Sequence, residues 1–215
     1  MRSKGALVGD AVAALGVLAL LAVVLFPTVS AIHTRGEQAD EAQCVSNLKG
    51  QALAYLMYSE EWNQHTTPAY TQDKRGWYNR LEPYVRDSSV FDCPSYVTRL
   101  TYAGAGYPQG YGMNELLCQG IDLDAVAQPA DLIIIGDDAE DNPGKGTRPA
   151  MGWDTKVSTN HAPPADRHDG GANMAFADGH VQWFKYQDLG YRDQMRHPDP
   201  PGKDYWRPKT VAATP

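Results

Sequence analysis

With 215 residues, 42% of them apolar and 21% charged, the chain has room for one ordinary domain and an appendage, and its composition excludes a largely disordered protein. Nineteen Lys and Arg against 26 Asp and Glu leave a net charge of −7 with no basic cluster, which excludes a nucleic-acid partner, since binding phosphates needs a cationic face. Cys44, Cys93 and Cys118 stand too far apart for a CxxC zinc or redox motif, and their odd number leaves at least one thiol unpaired.

The first 32 residues carry Arg2, Lys4 and Asp10 and then 22 uncharged residues, 11–32, of which twelve are Leu, Ile, Val or Phe. A helix of that length spans roughly 30 Å, the thickness of a bilayer core. Each of those twelve side chains favours the membrane centre by about 0.3 to 0.6 kcal/mol. Arg2 and Lys4 predict a cytoplasmic N-terminus and an exported remainder, in which 17 basic residues face 25 acidic ones from His33 onward. Three readings fit: a secretory signal peptide cut after Val29-Ser30-Ala31, a permanent signal anchor, and a processed filament stem. The run is longer than the roughly 7 to 15 residues of an ordinary h-region. Asp10 would cost an anchor up to about 3 kcal/mol deep in lipid. A cut between Gly5 and Ala6 explains the acid, because it leaves a new α-amine four residues from the Asp10 carboxylate.

The segment KGALVGD resembles the type IV prepilin processing signal, with Ala6 where Phe is usual and Asp10 where Glu is usual. The resemblance implies cleavage after Gly5 by a prepilin peptidase and N-methylation of Ala6. It also implies that Asp10 neutralises the N-terminal amine of a neighbouring subunit during assembly. Pro27 removes a helical hydrogen bond and predicts a kink or local melting, which pilin helices show near this place in a filament.

Beyond His33 the chain predicts an amphipathic continuation over 33–65, with Val45, Leu48, Ala52, Tyr55 and Leu56 as its buried stripe. From Cys44 the stretch CVSNLKGQALAYLMYSEEW resembles the pseudopilins with an H-x9-DG C-terminal motif, although Gly50 interrupts the Asn47-Leu48-Lys49 core. Phe91-Asp92-Cys93-Pro94-Ser95, Tyr111-Gly112-Met113-Asn114 and the apolar 131–136 continue the likeness in the same order. In that family a helix cysteine recurs with the Cys-Pro cysteine. This implies a Cys44–Cys93 disulfide with Cys118 free, and Cys93–Cys118 is the rival pairing.

Most of 66–120 reads as loop, with Trp77, Tyr78, Leu81 and Tyr84 spaced for a short helix. After the apolar strand 131–136 come Asp137, Asp138, Glu140 and Asp141. Two readings apply to these: a solvated acidic loop, which is the commoner outcome, and a structural Ca2+ held by Asp137 and Asp138. The spacing matches no EF-hand.

His168, nine further residues and then Asp178-Gly179 complete the H-x9-DG pattern. Asp-Gly between alternating apolar residues predicts a two-residue hairpin turn. That turn sets Phe176 opposite Val181 and Met174 opposite Trp183, and puts these four on one face against the long helix. His168, Asp178 and His180 as a metal or catalytic cluster is the sharper alternative to a turn with His168 bonding the loop before it. The tail 192–215 is Pro-rich and extended.

These observations predict an α+β protein of type IV pilin-like fold, a long N-terminal α-helix packed on a small antiparallel β-sheet. Its parts are a leader 1–5, a transmembrane or filament-core helix 6–32, the amphipathic 33–65, a head 66–191 and the tail. The expected role is a structural subunit, not an enzyme, of a type IV pilus-like or type II secretion-type filament. Its expected partners are copies of itself, the peptidase and assembly machinery, and the inner membrane before assembly. No cofactor is expected apart from the Ca2+ reading. The rival is a secreted or membrane-anchored binding module for calcium, glycan or protein with an ordinary signal peptide.

Overall fold

The computed structural model describes residues 4–68, 76–96, 110–117, 120–138, 150–151 and 165–189. Within these, side chains at 4–13, 24, 27–34, 115, 150–151 and 187 lie outside the description. The chain forms two compact units, Met1–Asp40 and Glu41–Pro215.

Helix α1, Lys4–Glu61, begins in the first unit. Its backbone is helical through position 27, where the expectation is a kink or local melting on packing in a filament. From 14 to 26 every described side chain is exposed. Among the described residues no helix is long and apolar enough to cross a membrane, and several side chains of the 11–32 run on which that expectation rests lie outside the description.

In the second unit α1 changes character. Cys44, Leu48, Ala52 and Tyr55 are fully buried, joined by Asn47, Gln51, Tyr58 and Ser59, so the buried stripe is centred one residue earlier than Val45 and Leu56 suggest. The helix stops at Glu61, four residues before the expected end, because Asn63 and Gln64 take left-handed backbone (φ 53° and 62°) and the Gln64 amide folds back onto the Ser59 carbonyl at 2.6 Å. Asn tolerates that conformation better than most residues.

The expected short helix is α2, Trp77–Leu81, with Trp77, Tyr78 and Leu81 buried. A five-stranded sheet follows: β1 (Tyr111–Asn114), β2 (Ile133–Asp137), β3 (Ala150–Met151), β4 (Gly171–Phe176) and β5 (Val181–Lys185), in spatial order β3-β1-β2-β4-β5. All pairs are antiparallel except the two-residue β3, which runs parallel to β1. The second unit is therefore α+β.

The β4–β5 hairpin corrects the sequence expectation by one residue. Ala175 pairs with Val181, Met174 with Gln182 and Asn173 with Trp183. The loop holds three residues, 177–179, closed by the Phe176 amide on the His180 carbonyl (2.9 Å) and the Gly179 amide on the Phe176 carbonyl (2.9 Å). Gly179 has φ +90°, whereas Asp178 is not left-handed, so the two-residue turn that needs both positive does not form. A one-residue shift moves side chains across the sheet. Ala175, Ala177 and Val181 pack with Leu48 and Tyr55 of α1, while Met174, Phe176, Phe184, Ala172 and Ile133 form a separate cluster. Trp183 is partly exposed rather than in the helix-facing core.

Candidate functional site

Two buried amides of α1 fasten the segment before Cys93. Gln51 donates to the Val90 carbonyl (2.6 Å) and Asn47 to the Asp92 carbonyl (3.0 Å). With a 3-10 turn at Ser88–Phe91 these bonds bring Cys93 onto α1, where its sulfur lies 2.7 Å from that of Cys44. Both are buried free thiols. The structure thus brings together the pair that the resemblance implies, as neighbouring thiols, while Cys118 lies outside the described residues.

From the sheet side come Asp137, the last residue of β2, and His168, in the turn before β4. His168 and Gly171 exchange backbone hydrogen bonds of 3.2 and 3.0 Å across the left-handed Asp169 and Gly170 (φ 52° and 72°), and Trp183 donates its indole N–H to the His168 carbonyl at 2.8 Å. With its backbone held, the imidazole Nε2 faces Asp137 Oδ2 at 3.3 Å and Cys93 Sγ at 3.7 Å. Asp137 Oδ2 also accepts from the Asn173 amide at 2.7 Å. Arg167 stands behind Asp137 at 3.9 Å, donates to the carbonyls of Gly110 and Asp138, and lies over the Tyr96 ring.

Burial disfavours a charged His168, but the hydrogen bond and charge of Asp137, with Cys93, outweigh it and hold the imidazole pKa up to about 9. The hydrogen bond from Cys93 pulls the Cys44 thiol below its ordinary value, and the same bond, with burial, pushes Cys93 well above its own. Tyr111, whose hydroxyl reaches the Cys44 carbonyl at 3.5 Å, is driven well above the ordinary tyrosine range by burial.

A Cys-His-Asp relay needs the nucleophile and the carboxylate on opposite ring nitrogens. Here Asp137 and Cys93 share Nε2, so the arrangement is not that relay.

The alternative reading of His168, Asp178 and His180 as one cluster is not met, because the three separate. Asp178 Oδ1 accepts from the His180 amide at 3.1 Å and meets its Nδ1 at 2.5 Å on the surface, while His168 is buried with Cys93 and Asp137. Gly179, at φ +90°, ends the three-residue loop instead of sharing the two-residue turn expected of Asp178-Gly179. Asp137 and Asp138 are buried, which corrects the solvated-loop reading for those two; Glu140 and Asp141 lie outside the described residues. The neighbours of Asp137 are sulfur and imidazole rather than the oxygen donors Ca2+ prefers. Gly5, Ala6 and Asp10 have helical backbone, and their side chains and that of Pro27 lie outside the description.

Reading the sequence missed Arg167, Asn47 and Gln51 as site-building residues. A polar residue on an apolar helical stripe, as Gln51 is between Leu48 and Tyr55, was the available signal. Comparison with models of protein families, with curated proteins and with solved structures found no match.

Proposed function

We propose that the chain is a pilin-like subunit of a type IV pilus-like or type II secretion-type filament, assembled through its N-terminal helix after cleavage at Gly5/Ala6. The observation that carries this reading is the exposure of Leu15, Val17, Leu18, Leu20, Leu21, Val23, Leu25 and Phe26, each between 49 and 77% exposed. At 100° per residue these positions encircle the helix, so no single packing surface covers them. Burying one such side chain is worth roughly 1.5 to 3 kcal/mol, so eight together rival the 5 to 15 kcal/mol net stability of a typical domain. An all-round apolar helix suits lipid before assembly and a bundle of identical helices afterwards.

The same helix would serve an anchored or secreted binding module. Sequencing the N-terminus of the chain recovered from its own cells separates the readings: methylated Ala6 supports the filament subunit. A start at Met1 or Ile32 overturns it.

A further inference from the structure

We propose that Cys44, Cys93, His168 and Asp137 form a metal site in the second unit, taking one Zn2+ through two sulfurs, an imidazole nitrogen and a carboxylate oxygen. Each offers one donor atom, all four atoms lie within 4.8 Å of one another, and all four residues are buried. Tetrahedral zinc, with bonds of about 2.0 to 2.3 Å, sets its ligand atoms roughly 3.3 to 3.8 Å apart. Cys93 and His168 at 3.7 Å and His168 and Asp137 at 3.3 Å already stand at that spacing. The two sulfurs, at 2.7 Å, must open by about 1 Å to reach it.

Close sulfurs also suit a disulfide, and the other two donors decide between them. A disulfide uses neither His168 nor Asp137, and among the described residues Asp137 Oδ1 is buried with no hydrogen-bond donor, the Arg167 guanidinium standing 3.9 Å from it. A cation engages that carboxylate. The charges also balance: two thiolates and a carboxylate against a divalent ion and the Arg167 guanidinium, 3.9 Å from Asp137. Sulfur and imidazole donors select zinc over calcium or magnesium. The Asn173 amide bond to Asp137 Oδ2 is of the kind that orients a ligating carboxylate in metal centres, and the Trp183 bond fixes the backbone that carries His168. Nothing in this site depends on whether the chain enters a filament.

The test uses the full chain, purified in detergent under reducing conditions, stripped with a chelator and titrated with Co2+. The expected result is one cobalt per chain, with thiolate-to-cobalt charge transfer and the d–d bands of a tetrahedral ion, both lost on adding Zn2+. Cys93→Ser and His168→Gln abolish the bands and Cys118→Ser keeps them. Circular dichroism checks that each variant folds, and should one fail, the wild-type titration decides alone. Absence of cobalt uptake by the folded, reduced chain overturns the proposal, as does loss of the bands in Cys118→Ser. Recovery of the chain from its own membranes with a Cys44–Cys93 disulfide and no metal also overturns it.

Discussion

Gln51 and Asn47 lie on the face of α1 that otherwise buries Leu48, Ala52 and Tyr55, and each spends its amide on a carbonyl of the segment before Cys93. Gln51→Ala leaves the Val90 carbonyl without that donor inside the protein. Such a loss costs about 1 to 3 kcal/mol. Urea unfolding should show it, while Leu53→Ala, at a position 60% exposed, changes stability by about 0.5 kcal/mol or less. Gly136 is a second residue-level constraint. A Cβ there would overlap the Met174 sulfur, so Gly136→Ala is expected to destabilise by about 1 to 3 kcal/mol. In a Met174→Ala background the same change should cost clearly less, and strict additivity in that double-mutant cycle would refute the clash.

At the level of elements, the β4–β5 hairpin shows what the amino-acid order does and does not specify. Asp178-Gly179 marks the turn, and the apolar alternation marks both strands. Yet Asp-Gly serves both a two-residue turn and a three-residue loop ending in left-handed Gly, and in the loop that forms Ala175, Ala177 and Val181 join the core cluster that holds Tyr55. Gly179→Ala tests the chosen loop. Its Cβ would sit 3.4 Å from Leu56, an ordinary contact, so the expected loss of about 1 to 2 kcal/mol comes from backbone at φ +90°. Equal stability of Gly179→Ala and wild type in thermal unfolding would argue against this loop. Elsewhere local signals sufficed: the Trp77, Tyr78, Leu81, Tyr84 spacing yields α2, which gives way after Leu81 to a 3-10 turn holding Tyr84, and the apolar run before Asp137 yields β2 within two residues of expectation. His168 and Asp137 were both legible as polar residues of interest, but their meeting was not, since 30 residues separate them and it is the pairing of β2 with β4 that brings them together.

For the whole molecule, the decisive property is the change along α1 from exposed Leu and Val to buried Cys44, Leu48 and Tyr55. Asp10→Ala is expected to reduce filaments without altering the fold of residues 41–215, because the proposed charge partner of Asp10 belongs to a neighbouring subunit. Electron microscopy and circular dichroism on the same strain check both halves of that statement. Filaments in normal number, containing the variant at normal occupancy, would remove Asp10 from the assembly step.

The buried centre also keeps a record of folding. Its four residues come from α1, the loop after Phe91, the end of β2 and the turn before β4, so none of its contacts is local in sequence. Contacts of that kind form late, once the intervening segments have docked. Until then Cys44 and Cys93 are open to alkylation, and afterwards they are sealed from it. Thiol protection in a pulse-labelling experiment therefore timestamps the completion of folding of each newly made chain.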